Sequence, residues 1–248
     1  MDSFIPDSST WIFDEPGWDS WHGQDASTST SRLLVLEGPP GAGKSHLAAS
    51  VYDRLAERSK QSVATCVVHF YFREAAQDMN YLSNAVSWTV IQIADQDANL
   101  CEKINIEIQR EDIDYWDGSD WQQTWKRLIK PFFGGQNAQR LQIVWDGLDE
   151  LERDQRGHLV ECLKTMTQGD DLKISIFCTT RPILREPLRE LGASIVQATK
   201  EKQLPDMRIL IWKHLDNDSG LRKFSRYTKQ RVSTALEEHA DGRQIRWY

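Results

Sequence analysis

Residues 38–46 offer the clearest chemistry in the sequence: Gly38, Pro39, Pro40, Gly41, Ala42, Gly43, Lys44, Ser45 and His46. Through Ser45 they match the phosphate-loop pattern G-x-x-x-x-G-K-[ST] without a mismatch. Gly38, Gly41 and Gly43 allow backbone turns in which consecutive N–H groups point at phosphate oxygens. Lys44 can place its charge on the β- and γ-phosphates, and the Ser45 hydroxyl can ligate Mg²⁺. The segment therefore predicts a site for ATP or GTP with Mg²⁺.

A second group of candidate residues follows the apolar run at 141–146. Asp146 ends this run, in the place of the carboxylate that holds the Mg²⁺ shell in phosphate-loop enzymes. Gly147 stands where the simplest ATPases carry a glutamate, and the acids Asp149 and Glu150 come shortly after it. Either acid could orient or deprotonate the attacking water as general base. The alternative is that both acids cap the helix that follows the turn.

A third candidate is Arg181, in the run Thr180-Arg181-Pro182 that follows the apolar segment 174–179. Ligands of an open parallel sheet bind at the carboxyl ends of its strands. We therefore expect Arg181 to project toward the same crevice as Lys44 and Asp146, where its guanidinium could sense or stabilise a γ-phosphate. The alternative is an ordinary surface arginine at the end of a strand.

The elements around these residues alternate between strands and helices. Apolar or β-branched runs predict strands at 32–36, 63–72, 141–146, 174–179 and 194–196, and helical spacing predicts helices at 46–55, 80–98, 120–133 and 155–168. This alternation predicts right-handed crossovers and a parallel sheet covered on both faces. The expected fold class is α/β, a three-layer αβα P-loop NTPase with a central parallel sheet. The acidic stretch 102–120 is expected to be a solvated loop.

Three parts of the chain differ in composition. Residues 1–31 form a polar lead-in whose aromatic residues are expected to cover an edge of the core, 32–200 form the NTPase domain, and 201–248 begin a helical appendage. Two helices near 206–215 and 225–240 lack a strand between them, which suggests the start of a helical lid.

Composition narrows the cellular context and the partners. The formal net charge is −7, which argues against a general nucleic-acid surface because such a surface carries a basic stripe. The four cysteines are scattered without a C-x-x-C pair, so a zinc site or disulfide framework is not expected. No membrane span or signal peptide is visible, and we expect a cytoplasmic protein without a membrane partner.

The motifs together resemble the NACHT domain of STAND-class signalling NTPases. The phosphate loop, the Asp-Gly-Leu-Asp-Glu string at 146–150 and the Thr-Arg-Pro run at 180–182 carry the resemblance. The most similar set is the fungal one with ankyrin or WD repeats, which shares features resembling Thr10-Trp11-Ile12-Phe13, Trp21 and Phe70-Tyr71-Phe72-Arg73. The similarity extends from about residue 10 to residue 240.

This resemblance implies a nucleotide-dependent signalling switch with slow hydrolysis, which assembles as a homo-oligomer or with another signalling protein. The segment 240–248 departs from the family, because arginines stand at apolar positions and no winged-helix or repeat module follows. On this reading we expect a truncated fragment that is mostly monomeric and hydrolyses poorly.

Other functions remain open at this stage. A small-molecule kinase would need a lid of arginines, for which Arg185 and Arg189 are the candidates. An AAA-type nucleic-acid remodeller is disfavoured by the acidic charge, and a binding-only nucleotide module is also compatible with the motifs. The base is undecided: the Asn-Lys-x-Asp string of many GTPases is absent, which favours ATP.

Overall fold

The computed structural model describes residues 10–22, 31–61, 65–76, 79–110, 120–135, 138–169 and 171–240. The strands in these ranges are β1 (Leu33–Glu37), β2 (Thr65–Tyr71), β3 (Arg140–Asp146), β4 (Ile174–Thr180) and β5 (Ser194–Gln197). The predicted strands are all confirmed, with small shifts at their ends. The end of the chain at 241–248, on which the departure from the NACHT pattern rests, lies outside the described residues.

The helices of the described ranges are α1 (Pro16–His22), α2 (Lys44–Ser59), α3 (Leu82–Gln96), α4 (Ala98–Arg110), α5 (Trp121–Thr124), α6 (Lys130–Phe133), α7 (Arg156–Thr167), α8 (Arg185–Glu190), α9 (Lys200–Asn217) and α10 (Arg226–Ala240). None of them combines the length and the apolar character that a membrane crossing requires.

The strands form one parallel sheet in the order β2-β3-β4-β1-β5. Because β4 lies between β1 and β3, the carboxyl ends of these three strands are neighbours. The segments that follow them are the phosphate loop, the turn after Asp146 and the turn at Arg181. The topology thus brings the three candidate motifs to one edge of the sheet.

Side chains alternate between two apolar layers, as the period of a strand requires. On one face Leu33, Val35 and Ile143 pack against the layer of α3 and α7. On the other face Leu34 and Leu36 belong to a second buried cluster, in which they and apolar residues of the other strands pack against α2 and the N-terminal segment. The α/β three-layer prediction is confirmed.

The aromatic lead-in contributes to the second layer. Trp18 and Trp21 are buried against the sheet, and the Trp21 Nε1 donates to the Arg32 carbonyl at 3.2 Å. The expectation that these rings cover the core is correct. The same segment also contacts α9, because the Lys202 ammonium lies 2.6 Å from a Glu15 carboxylate oxygen.

The acidic stretch was expected to be a loop, and for residues 102–110 that expectation is wrong. Helix α4 runs through them, with Leu100 and Ile104 buried one turn apart. Asp97 caps the helix, since its Oδ1 accepts from the N–H groups of Asn99 at 2.8 Å and Leu100 at 3.1 Å. The acids therefore occupy the solvated part of an amphipathic helix, and residues 111–119 lie outside the described residues.

The predicted helix at 120–133 is interrupted. Asp120 caps its start, but residues 125–129 form a π-helical turn before α6. Pro131 lacks the N–H of a regular helical turn and its ring would meet the carbonyl four residues earlier, which explains the wider turn. The turn shifts the phase of the helix, so that Phe133 is fully buried and Phe132 only partly.

Two glutamines of α3 cover the free edge of the sheet at β2. The Gln92 amide donates to the His69 carbonyl at 2.8 Å and accepts from the His69 N–H at 3.0 Å. Gln96, one turn later, makes the same pair of bonds with Val67 at 2.8 and 3.0 Å. The side-chain amides thus take the place of a neighbouring strand and satisfy an edge that would otherwise be open to pairing.

An ion pair with a buried carboxylate joins the end of β1 to the start of α8. Glu37, the last residue of β1, is buried beneath the start of α8, where Arg185 Nε lies 3.0 and 2.9 Å from its two carboxylate oxygens. Arg185 Nη2 also contacts the same carboxylate. Because Glu37 directly precedes Gly38, this pair fixes the strand end from which the phosphate loop departs.

We expect the double substitution Gln92→Ala and Gln96→Ala to lower the free energy of unfolding by about 2–4 kcal/mol, since the four hydrogen bonds to β2 are lost. The uncovered β2 edge should also promote self-association. Urea denaturation and light scattering measure the two effects. Gln122→Ala, which removes an exposed bond to Glu161, is the control, and an equal loss in it would contradict the edge-covering role.

We expect Arg185→Ala to lower the free energy of unfolding clearly more than Arg189→Ala does, because it leaves Glu37 buried without its cation. Arg189→Ala is the matched control: its partner Glu186 is exposed, so the loss should be about 0–1 kcal/mol. Replacing Glu37 and Arg185 together by leucine should recover part of the loss. Equal effects of the two arginine substitutions in urea denaturation would contradict this assignment.

Candidate functional site

The phosphate loop combines two different uses of glycine. Gly41 and Gly43 have φ angles of 78° and 67°, in the left-handed region that favours glycine. Gly38 was expected to allow a turn, but its role is a close packing contact. A Cβ at this position would lie only 2.9 Å from the Cβ of Ala198. Helix α2 starts at Lys44, earlier than predicted, so its N-terminal N–H groups belong to the loop itself.

The Lys44 side chain folds back over this loop. Its Nζ donates to the carbonyls of Gly38 at 3.0 Å and Pro39 at 3.1 Å. Burial lowers the pKa of the ammonium, while the negative charges of Asp149 and Asp146 act in the opposite direction. Lys44 therefore lies within the field of both acidic motif residues, as expected from the sequence.

Asp146 is the buried centre of the site. Its Oδ1 accepts from the Thr179 hydroxyl at 2.5 Å, and the Ser45 hydroxyl also hydrogen-bonds the carboxylate. Burial raises the pKa of Asp146, and the bonds from Ser45 and Thr179, together with the charge of Lys44, oppose that rise. The two predicted metal residues, Ser45 and Asp146, are thus brought into direct contact.

The Ser45–Asp146 pair suits Mg²⁺ by its chemistry. A hydroxyl and a carboxylate are hard oxygen donors, and Mg²⁺ is usually held by one or two protein oxygens with the rest from water and substrate phosphates. Within the described ranges there is no cluster of three or more His, Cys, Asp or Glu side chains that could hold a metal by itself. The donors fit an ion shared with a phosphate ligand.

Thr179 is the site residue that the sequence reading missed. It is fully buried at the end of β4, donates to Asp146 and accepts at 3.0 Å from the N–H of Gly147. Gly147 needs to be glycine at φ 77°, with a Cβ position only 3.2 Å from the Phe72 carbonyl. The signal available in the sequence was a threonine pair ending an otherwise apolar strand.

Asp149 holds Arg181. The Arg181 N–H donates to Asp149 Oδ1 at 3.0 Å, and Arg181 Nε lies 2.8 Å from Oδ2. The Asp149 side chain is only 4% exposed, whereas that of Arg181 is 46% exposed. The carboxylate therefore positions the guanidinium at the mouth of the crevice and does not cap a helix.

Glu150 has a different environment from Asp149. The bond it accepts from the Glu74 N–H is long, at 3.3 Å. Burial raises the pKa of Glu150, the charges of Asp149 and Asp146 add to the rise, and Arg181 opposes it. A carboxylate with a raised pKa and few protein partners is better suited to proton transfer than one engaged in an ion pair.

The two arginines considered for a kinase lid are engaged elsewhere. Arg185 binds the buried Glu37, and Arg189 pairs with Glu186 on the surface of α8 at 3.1 Å. Neither is available in this arrangement to close over a second substrate.

The fold has counterparts among solved structures. The Aeropyrum pernix ORC2 protein in its ADP form matches with a TM-score of 0.51 at 14% identity, over 86% of this chain and 54% of that one. The chain therefore spans about half the length of this neighbour. At such low identity the likeness shows the fold alone, which is that of a P-loop NTPase.

Two weaker structural matches cover most of the chain. C. elegans PCH-2 matches at 12% identity and TM-score 0.44, over 91% of this chain and 55% of that one. The Aeropyrum pernix ORC1 protein in complex with DNA matches at 18% identity and TM-score 0.42, over 92% and 59% of the two chains. No curated protein sequence matches this one.

The sequence itself carries a family match over most of its length. Residues 7–181 match the family described as Nephrocystin 3, N-terminal, a span that includes the phosphate loop, Asp146, Glu150 and Arg181. This range is well over half of the 248 residues. The NACHT resemblance seen in the motifs is thereby confirmed. The chain belongs to the Nephrocystin 3 N-terminal family, a NACHT-containing family of P-loop NTPases.

Proposed function

We propose that this protein is a nucleoside triphosphate-binding switch that hydrolyses its nucleotide slowly with Mg²⁺. The observation that carries the proposal is the convergence of Lys44, Ser45 and Asp146 at the carboxyl ends of neighbouring strands, with Thr179 between them. Family membership supports nucleotide binding. The sequence favours ATP as the nucleotide, with GTP as the alternative.

In this proposal residues 38–46 cradle the phosphates, and Lys44 exchanges its loop carbonyls for phosphate oxygens. Ser45 and Asp146 hold Mg²⁺, which would neutralise charge on the phosphates when bound. Thr179 fixes the orientation of the Asp146 carboxylate. Burial of that carboxylate keeps water from competing for its oxygens.

Glu150 is proposed as the general base that takes a proton from the attacking water, since Asp149 is occupied by Arg181. Arg181 is proposed as the γ-phosphate sensor. A γ-phosphate would compete with Asp149 for the exposed guanidinium, so nucleotide state would change a contact between the β3 and β4 turns. That competition is a physical route from hydrolysis to a conformational signal.

The broader setting follows the family resemblance. We propose a cytoplasmic signalling role, with assembly into a homo-oligomer or with another signalling protein, and a three-part organisation divided near residues 31 and 200. The resemblance to the fungal repeat-associated set belongs to the same proposal. Of the alternatives, a binding-only module differs from this function only in the absence of turnover.

We expect Lys44→Ala to weaken nucleoside triphosphate binding about 10- to 100-fold, because a charge-assisted contact with the phosphates is lost. Titration calorimetry with ATP and GTP in the presence of Mg²⁺ measures the affinity and shows which of the two nucleotides is preferred. Lys60→Ala removes an exposed lysine just after the other end of α2 and is the control. Unchanged affinity in Lys44→Ala would refute the nucleotide site.

We expect Glu150→Gln to retain nucleotide binding and to lower hydrolysis by about 10²–10⁴-fold, the loss typical of a missing general base. Asp149→Asn should act differently: it weakens the hold on Arg181 and should change the affinity ratio of triphosphate to diphosphate. Single-turnover hydrolysis and calorimetry separate the two effects. If Asp149→Asn abolishes turnover and Glu150→Gln does not, the base is Asp149.

The pH profile of hydrolysis gives an independent check. A base must be deprotonated, and the pKa of Glu150 is raised above its ordinary value of 4.5. Hydrolysis should therefore decline with falling pH at a pH above 4.5, and Glu150→Gln should remove this limb from its residual rate. A wild-type rate that stays constant down to the ordinary titration range of glutamate would contradict the assignment.

A further inference from the structure

The charge of the chain is distributed unevenly. Residues 200–248 contain 11 Lys and Arg against 7 Asp and Glu, whereas residues 1–199 contain 19 against 30. Within the basic part, the stretch 219–236 carries five Lys or Arg and no acid. The net charge of −7 is therefore the sum of an acidic part, residues 1–199, and a basic C-terminal segment, residues 200–248.

Two aromatic rings lie exposed in this stretch. Phe224 is 45% exposed and Tyr227, in the first turn of α10, is 73% exposed. Exposed basic side chains lie close to the two rings in the sequence. The rings and these side chains together are called the basic aromatic patch: Arg222, Lys223, Phe224, Arg226, Tyr227 and Arg231. The Arg231 guanidinium carbon lies over the Tyr227 ring, 6.0 Å from its centre, so a cation already accompanies this largely exposed ring.

Nearby acids do not neutralise the patch. Asp216 pairs with Lys229, which is outside the patch, at 2.6 Å. Asp218 Oδ1 accepts from the N–H groups of Gly220 at 2.8 Å and Leu221 at 2.9 Å, so it stabilises the turn before α10. None of the four patch cations forms an ion pair with another residue in the described part of the chain.

The opposite side of α10 is buried. Val232 and Leu236 pack against Met207, Ile211 and Leu215 of α9. The outward side carries Thr228, Gln230 and Thr234 between its charges, without an apolar stripe. An interfacial membrane helix requires such a stripe, so two isolated rings among cations do not favour a lipid surface.

We propose that the basic aromatic patch binds single-stranded nucleic acid. Exposed ring faces accept unstacked bases, and the surrounding cations contact the phosphates of a flexible backbone, which is the combination used by single-strand binding surfaces. A duplex keeps its bases stacked and offers the rings nothing to stack on. The sequence-based argument against nucleic acid fails because it used the charge of the whole chain, not that of its C-terminal segment.

The test is fluorescence anisotropy of the full chain with labelled oligodeoxythymidine and oligouridine over a series of salt concentrations. An excess of free ATP with Mg²⁺ keeps the oligonucleotide phosphates from the phosphate loop. We expect binding that weakens with salt, and a loss of about 5- to 100-fold for each of Phe224→Ala and Tyr227→Ala. Far-UV circular dichroism and the urea midpoint of the same variants should stay at the wild-type values, which shows that they are folded.

The contribution of charge is tested with two matched triple variants. The triple substitution of Arg222, Lys223 and Arg226 by alanine should reduce the slope of log binding constant against log salt concentration by about 2, at about 0.7 for each lost phosphate contact. The control removes the same charge from exposed lysines elsewhere, Lys126, Lys130 and Lys164. Equal losses in both triple variants, or binding insensitive to the two rings, would overturn the proposal.

The absence of oligonucleotide binding by the wild-type chain at low salt would also overturn it. In that case, patch-dependent binding to phosphatidylserine vesicles or to polyglutamate would reassign the surface to a membrane or to an acidic protein. The nucleotide site is measured separately by calorimetry, so the failure of one proposal leaves the other standing.

Discussion

The buried carboxylate of Asp146 is the constraint on which the rest of the site depends. A desolvated carboxylate is costly unless hydrogen bonds or cations compensate it. Here the compensation comes from the Ser45 and Thr179 hydroxyls and from the charge of Lys44, which belong to different elements. The carboxylate therefore ties the phosphate loop, β3 and β4 together, and the sheet order places these three segments side by side. The same group is available for a metal because its partners are hydroxyls, which can share or yield their bonds.

Two acid–arginine pairs hold the segment after β4 from opposite sides. The buried Glu37, which directly precedes the phosphate loop, binds Arg185, and Asp149 binds Arg181 at the opening of the crevice. In the first pair the carboxylate is buried and held by more than one contact from the guanidinium, which suits a fixed structural role. The second has an exposed guanidinium, so its energy depends on what else the crevice contains. A switch needs one firm contact and one contact that a ligand can displace. The Glu37–Arg185 pair is suited to the first role and the Asp149–Arg181 pair to the second.

Much of the fold could be predicted from the sequence because its evidence is local. The strand, glycine loop and helix around Lys44 and the apolar run before Asp146 are readable from adjacent residues. Two of the misses involve partners distant in sequence. Thr179 became a site residue only through its contact with Asp146, and Arg185, considered for a lid, binds Glu37 at the end of the strand next to β4. The helix at 98–110 was missed because the acidic residues of this stretch favoured a loop, although the apolar residues Leu100 and Ile104 lie at helical spacing.

The sequence by itself determined the chemistry offered to a nucleotide: the lysine, the hydroxyl, the carboxylate proposed to hold Mg²⁺ and the two candidate general bases. These depend on residue type and short spacing, which folding cannot alter. Only the tertiary structure distinguished Asp149 from Glu150, since adjacent acids look equivalent until one is paired with Arg181 and the other is not. Only the tertiary structure also showed which basic residues of the C-terminal segment are free of acidic partners and which rings face outward. Burial and pairing are properties of contacts between distant parts of the chain, and composition averages over them.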